Sequence, residues 1–149
     1  MDKRPAVGLL FGLVLQGSLL FGADLELRYG IKPDLKNFPQ SKPKEALTSI
    51  LKAVKEKKHS YLLAHLADPE WVKRRVKSYG GKFGEVVEET RDQLSPLAIK
   101  RLESFLEKGT WKTTDKETVV TYDKIPSRVI RLRQVDGRWV LLNDFTPKS

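Results

Sequence analysis

The chain of 149 residues contains no cysteine. This absence excludes disulfides, catalysis by a thiol, iron–sulfur clusters, cysteine-based zinc sites and a lipid-modified N-terminal cysteine. Histidine is nearly as scarce, since His59 and His65 are the only two. Their spacing does not stack them on one helix face, as an i, i+4 pair would be stacked. We therefore predict neither a metal site nor a cofactor, and we expect His65 to be a half-buried structural residue.

Long apolar runs are also missing, apart from one at the N-terminus. Residues 6–23 contain no charged side chain, and Lys3 and Arg4 precede them. A short basic start followed by an apolar stretch is typical of a secretory signal, with cleavage expected between Ala23 and Asp24. The stretch also approaches the roughly 18–20 apolar residues that span a bilayer, so an uncleaved membrane anchor is the alternative. Both alternatives predict an exported protein, either periplasmic or secreted.

Acidic residues are too few to balance the basic ones. The chain has 19 Asp and Glu against 28 Lys and Arg, which gives a formal net charge of +9. Such a balance favours contact with anionic material, although it also simply keeps a protein soluble. Export argues against nucleic acid as the partner and leaves an anionic envelope component or another protein. Direct membrane contact is expected only through the N-terminal segment, if that segment is not cleaved.

The remaining sequence has the length of one domain. Residues 24–42 contain Pro33 and Pro39 and no periodic apolar pattern, so we interpret them as a tether or an edge segment, and we expect its Phe38 to dock on the domain. Residues 43–149 are predicted to form a single α+β domain.

The first part of this domain has helical periodicity. Leu47, Ile50, Leu51 and Val54 recur at i, i+3, i+4 and i+7, which is the apolar stripe of an amphipathic helix. A short Leu-rich helix, residues 61–66, is expected next. Helix starts are then indicated at Asp68-Pro69 and Ser95-Pro96, because each pair places a capping side chain before a proline in the first turn. Residues 69–108 should therefore be entirely helical.

After Gly109 the apolar period changes from about 3.6 to 2, which predicts strands. Turns are indicated at Asp115-Lys116 and at Asp136-Gly137, and the second is the signal of a type I′ hairpin. That hairpin places Ile130, Leu132, Trp139 and Leu141 on the face that meets the helices, and its arginines on a solvated face. We predict an α+β fold in which N-terminal helices pack on a C-terminal antiparallel sheet of three to four strands.

Two segments, residues 43–66 and 128–144, resemble the NTF2-like superfamily, and more narrowly its small exported domains. The resemblance implies a curved sheet backed by helices and a cone-shaped pocket between them. Some members of that superfamily are enzymes that use an Asp or a His in the pocket, and many are binding or interaction modules without catalysis. The all-helical middle, residues 69–108, departs from the pattern, in which strands often occur there.

The stretch "WVKRRVKSYGGKF", residues 71–83, concentrates basic side chains. On a helix, Lys73, Arg74 and Lys77 fall opposite the apolar Val72, Val76 and Tyr79. The two glycines follow the helix, as a helix stop does, whereas a phosphate-binding loop has glycines between a strand and a helix. We predict Lys73, Arg74, Arg75 and Lys77 as contact residues for an anionic partner.

The sequence thus favours an exported, non-catalytic binding or protein-interaction module that contacts an anionic partner through this basic helix face. No catalytic residue is predicted, since no Gly-x-Ser-x-Gly turn is present. One alternative is a small NTF2-like enzyme with a titratable pocket residue such as His65, Asp68 or Glu85. The other is a structural envelope protein held at the membrane by its own leader.

Overall fold

The computed structural model describes residues 27–142. The predictions made for residues 1–23, the leader and its cleavage point, lie outside these residues. The chain divides into two units, with the boundary between Pro33 and Asp34. In the described part of the first unit, Arg28 and Ile31 pair across a turn formed by Tyr29 and Gly30, both of which have positive φ.

The second unit contains five α-helices, a π-helix and four strands within the described residues. The helices are α1 (Pro43–Lys55), α2 (His59–Tyr61), the π-helix (Leu62–Leu66), α3 (Pro69–Ser78), α4 (Phe83–Gln93) and α5 (Pro96–Lys108). The strands are β1 (Thr110–Thr114), β2 (Glu117–Thr121), β3 (Ile130–Val135) and β4 (Arg138–Leu142). The predicted α+β arrangement, with the helices preceding the sheet, is confirmed.

The four strands form one antiparallel sheet in the order β1-β2-β3-β4. Val135 pairs with Arg138 across the last turn, and Asp136 and Gly137 have φ angles of 50° and 78°. Positive φ at both central residues is the requirement of a type I′ turn. The predicted hairpin and its register are therefore confirmed.

The core of this unit lies between one face of the sheet and the helices. Helix α1 packs on β4, on the π-helix and on α5, and its apolar stripe is buried. The four hairpin residues predicted to face the helices are each at most 8% exposed. These residues are Ile130, Leu132, Trp139 and Leu141.

The outer edge of β4 is covered by two segments from elsewhere in the chain. The Trp139 N–H donates to the Gln40 carbonyl at 2.9 Å, and the Gln40 side chain donates back to the Trp139 carbonyl at 2.8 Å. Further along, Ala67 forms a parallel bridge with Leu141. Residues 34–42, which the sequence analysis placed in the tether, thus belong to this unit, and Phe38 is only 1% exposed.

The short Leu-rich helix differs from the expectation in its geometry. It begins as one α-turn at His59 and continues as a π-helix over Leu62–Leu66. His65 is fully buried, and its ring centroid lies 5.1 Å from that of Tyr61. The expectation of a half-buried histidine was wrong because this segment is buried on all sides: every residue from 61 to 68 is buried.

The arginine face of the hairpin is not simply solvated, as the sequence suggested. Arg133 forms an ion pair with Asp68, whose side chain is 8% exposed, and Arg131 pairs with Glu117. The physical reason lies in the β4 edge: the Asp68 N–H donates to the Leu141 carbonyl at 2.8 Å. This bond brings the start of α3, and its carboxylate, onto that face.

Candidate functional site

The predicted basic face lies on α3, which begins and ends as the sequence indicated. The Asp68 side chain accepts a hydrogen bond from the Glu70 N–H at 3.4 Å, which caps the helix. At the other end, the Gly80 N–H donates to the Lys77 carbonyl and the Gly81 N–H donates to the Val76 carbonyl. Both glycines have positive φ. This pair of bonds is a Schellman motif. The glycines therefore end a helix, and they do not form a phosphate loop.

Three of the four predicted contact residues share the exposed side of α3. Lys73, Arg74 and Lys77 are exposed, and none of them forms an ion pair with another residue between 27 and 142. The opposite side holds Val72, which is fully buried, with Trp71 packed beside it.

Arg75 stands apart from these three residues. Its guanidinium forms an ion pair with Glu89 of α4 and lies 5.3 Å from the ring centroid of Tyr79. The hydrogen bond to Glu89 raises the pKa of Arg75 above its usual range. Arg75 thus connects α3 to α4, and its charge is already matched within the chain.

A second candidate site is a cavity of about 440 Å³ between the helices and the sheet. Most of its lining is apolar and comes from α1, the π-helix, α3, α5, the strands β3 and β4 and the residues that connect these elements. The apolar lining residues are Ile50, Val54, Leu62, Leu63, Ala67, Trp71, Leu94, Ala98, Leu102, Phe105, Val129, Ile130 and Leu141. An apolar concavity of this size is typical of small-molecule sites.

Four polar residues complete the lining: Thr90, Gln93, Arg101 and Arg128. Thr90 uses its hydroxyl within α4, since it donates to the Val86 carbonyl at 2.8 Å. Neither arginine forms an ion pair within the described part of the chain. The lining includes no carboxylate and no imidazole, so none of His65, Asp68 and Glu85 borders this cavity.

The cavity arises because α5 turns an apolar stripe inward that its neighbours do not cover completely. Leu102 and Ile99 are only half-buried, and Phe105 is the one residue of α5 that is buried. The sequence pattern did not predict this site. One signal was available. Arg101 follows Ala98 by three positions and precedes Phe105 by four, so all three lie on one side of α5, and a cation stands within the apolar stripe.

The two histidines lie away from this cavity. His59 is 8% exposed, and burial, followed by the nearby Arg91 and Lys57, lowers its pKa. Burial also raises the pKa of Tyr61, whose hydroxyl accepts a hydrogen bond from the Asp34 N–H at 2.7 Å. Within residues 27–142, no three His, Asp or Glu side chains come together as a metal site would require.

No protein-family model matches the chain, and neither a curated protein nor a solved structure does. The resemblance to the NTF2-like superfamily therefore stays a prediction. In the part of the chain that the structure describes, no helix is both long and apolar enough to cross a membrane.

Proposed function

We propose that the chain is a non-catalytic binding module that takes up an apolar small molecule in the cavity between α4, α5 and the sheet. The observation that carries this proposal is the cavity itself, about 440 Å³ in volume and lined mostly by apolar side chains. General acid–base catalysis needs a titratable group within reach of the substrate. The cavity lining supplies only arginines for that role, which favours binding over turnover.

The energetics of the lining support the same proposal. Trp71, Leu94 and Leu102 are half-buried, so part of their apolar surface faces the cavity. Covering apolar surface contributes about 25 cal/mol per Å². A bound apolar molecule would therefore gain free energy from walls that the chain leaves incompletely packed.

The test is binding of the neutral fluorescent dye N-phenyl-1-naphthylamine to the purified protein. Leu102→Trp should abolish the fluorescence increase because the larger side chain occupies the cavity. The matched control is Leu97→Trp on the same helix, since Leu97 is 56% exposed and lies outside the lining. Ala98→Leu is a second, smaller occluding change, and circular dichroism checks that each variant folds. Equal dye binding by all three variants and the wild type would contradict the proposal.

A second function is favoured by the exposed side of α3. We propose that Lys73, Arg74 and Lys77 contact an anionic envelope component or an acidic protein partner, as the sequence analysis predicted. Their exposure and their lack of carboxylate partners among the described residues support this. Exposed charges act at short range in salt, so the contact should weaken as ionic strength rises.

Charge reversal tests this second function. Binding of the wild type and of the triple variant Lys73→Glu, Arg74→Glu, Lys77→Glu is measured on anionic vesicles, cell-wall polymer and envelope extract, at low and high salt. The control reverses the exposed Lys112, Lys116 and Lys124, which changes the net charge by the same amount. A larger loss in the α3 variant supports the proposal. Equal losses of binding in the two variants would mean that binding depends on net charge alone, which would contradict the proposal.

Export remains part of the proposal, with residues 1–23 as a cleaved leader or as an anchor. N-terminal sequencing of protein taken from cells separates the two: a start at Asp24 indicates cleavage, and a start at Met1 indicates anchoring. The anchored form corresponds to the structural envelope protein that the sequence left as an alternative. The enzyme alternative would need a titratable group in a pocket other than the one described.

A further inference from the structure

We propose that the molecule bound in the cavity is a single-chain amphiphile with an anionic oxygen head group, held by Arg101 and Arg128. This inference rests on the proposed function, because it names the ligand class of the same cavity. The head group would be a carboxylate or a phosphate, and the chain an unbranched alkyl or acyl chain.

The first argument is charge. Arg101 comes from α5 and Arg128 from the connection between β2 and β3, yet both line one cavity that contains no carboxylate. Arginine binds carboxylates and phosphates through paired, charge-assisted hydrogen bonds. Two guanidinium groups in an otherwise apolar lining therefore complement an anion, and they favour neither a neutral nor a cationic ligand.

The second argument is a contrast among arginines. Arg75, Arg91, Arg131 and Arg133 each form an ion pair with an aspartate or glutamate of the chain. Arg101 and Arg128 have no such pair within the described residues, and neither has Arg74, but Arg74 is exposed whereas Arg101 is half-buried. A half-buried cation is favoured when an anion lies beside it. A ligand would supply that anion at the cavity, where the chain itself does not.

The third argument is the order of polarity along the cavity. Its closed part is formed by lining residues that are almost completely buried, such as Ile50, Leu63 and Phe105, each at most 2% exposed. The exposed lining residues, Gln93 and Arg128, mark the opening. A molecule with an apolar tail and a charged end matches this order, with the tail inside and the head group at the arginines.

The fourth argument is size. At about 440 Å³, the cavity lies in the lower part of the range of roughly 300–1,000 Å³ found for small-molecule sites. This volume suits one alkyl chain rather than a lipid with two. Each methylene transferred from water to an apolar site adds about fourfold in affinity, so affinity should rise with chain length until the chain outgrows the cavity.

The experiment is displacement of N-phenyl-1-naphthylamine by four probes that share a twelve-carbon chain, the ionic ones used below their critical micelle concentrations and the alcohol below its solubility limit. The probes are dodecanoate, dodecyl phosphate, dodecanol and dodecyltrimethylammonium. We expect the wild type to bind at least one of the two anions about tenfold more tightly than dodecanol, and the cation most weakly. The anion that binds more tightly identifies the head group.

The variants are Arg101→Gln with Arg128→Gln and, as a control of equal charge change, Lys100→Gln with Lys124→Gln. Both lysines are exposed and lie outside the cavity lining. The arginine variant should lose the tenfold preference for the anion, measured as the ratio of that variant's own affinities for the anion and for dodecanol. Retained dye binding shows that the cavity is intact. The lysine control should keep the preference.

The outcomes separate this inference from the function on which it rests. If dodecanol or the cation binds the wild type as tightly as both anions, or if the arginine variant keeps its preference, the head-group assignment is overturned and the cavity proposal stands. If neither the dye nor any probe binds the wild type, both are overturned.

Discussion

Helices α1 and α5 make an instructive pair because they are equally long and carry similar apolar stripes. Each has 13 residues and a proline in its first turn. In α1, seven residues are buried, whereas in α5 only Phe105 is buried. The difference shows that an amphipathic pattern determines which side of a helix faces inward, and that the neighbouring elements determine how completely that side is covered. In α5 the incomplete cover leaves the cavity.

The largest contrast should come from truncating one leucine in each helix. Leu47 of α1 is fully buried, so Leu47→Ala should lower the free energy of unfolding by about 2–5 kcal/mol. Leu102 of α5 borders the open cavity, so Leu102→Ala should cost about 1 kcal/mol, because part of its surface is already in contact with solvent. Urea unfolding of both variants measures the two values. Equal losses would show that α5 is packed as tightly as α1.

The junction between α5 and the sheet offers the next largest effect. A Cβ atom added at Gly109 would lie 2.4 Å from the Phe105 carbonyl oxygen and 2.6 Å from Val120 Cγ1. Gly109→Ala should therefore destabilise the fold by about 1–3 kcal/mol through overpacking. The control is Gly84→Ala in α4, where a Cβ would meet nothing within 4 Å. Because Gly84 is exposed in the first turn of α4, this control should change the free energy of unfolding by less than about 0.5 kcal/mol. Thermal unfolding measures both variants. A clearly lower Tm for Gly109→Ala than for Gly84→Ala would confirm the tight junction.

The two capping residues extend the comparison to the helix starts. Asp68 caps α3 and also pairs with Arg133, whereas Ser95 caps α5 through the Ala98 N–H alone. We expect Asp68→Ala to cost about 2 kcal/mol and Ser95→Ala about 0.5–1 kcal/mol, within the range of helix caps. A double variant of Asp68 and Arg133 should cost less than the sum of its single changes. Additive losses in denaturant would indicate that the ion pair contributes nothing.

The smallest effect concerns His59, which is buried beside Arg91 and Lys57 and whose pKa is lowered from 6.5. Well above pH 6.5 both the folded and unfolded chains hold a neutral imidazole, so stability does not depend on this group. As the pH falls from 6.5 through the folded-state pKa, the unfolded chain binds more protons, and stability decreases. Urea unfolding between pH 7.5 and 5 should show this loss in the wild type and a shallower one in His59→Gln. The same slope in both would exclude the histidine as its source.

The parts of the fold that the sequence predicted are those set by neighbouring residues. Asp136-Gly137, the Asp68 and Ser95 caps and the Gly80-Gly81 stop each act within a few positions, so their identity determines the local backbone. The four inward residues of the hairpin follow from alternation along a strand. The basic side of α3 also follows from helical spacing, although the pairing of Arg75 with Glu89 does not.

The features that the sequence did not predict depend on contacts between distant segments. The Gln40 bonds to Trp139 span 99 positions, and the ion pair between Asp68 and Arg133 spans 65. The cavity depends on how five helices and two strands meet, which no local spacing determines. Only Arg101, a cation within an apolar stripe, carried a local sign of it.

The contacts of Gln40 at β4 have a consequence for self-association. An exposed strand edge accepts further strands from other molecules, and natural proteins block such edges. Here one boundary of the sheet is occupied by the segment around Gln40 and by Ala67, so any added strand would have to join at β1. That strand is short and carries three threonines and a lysine, which makes it a poor template for stacking copies into fibres. Loss of the residues around Gln40 would expose the edge of the apolar β4. Strands of other molecules could then pair with the sheet at β4 as well as at β1.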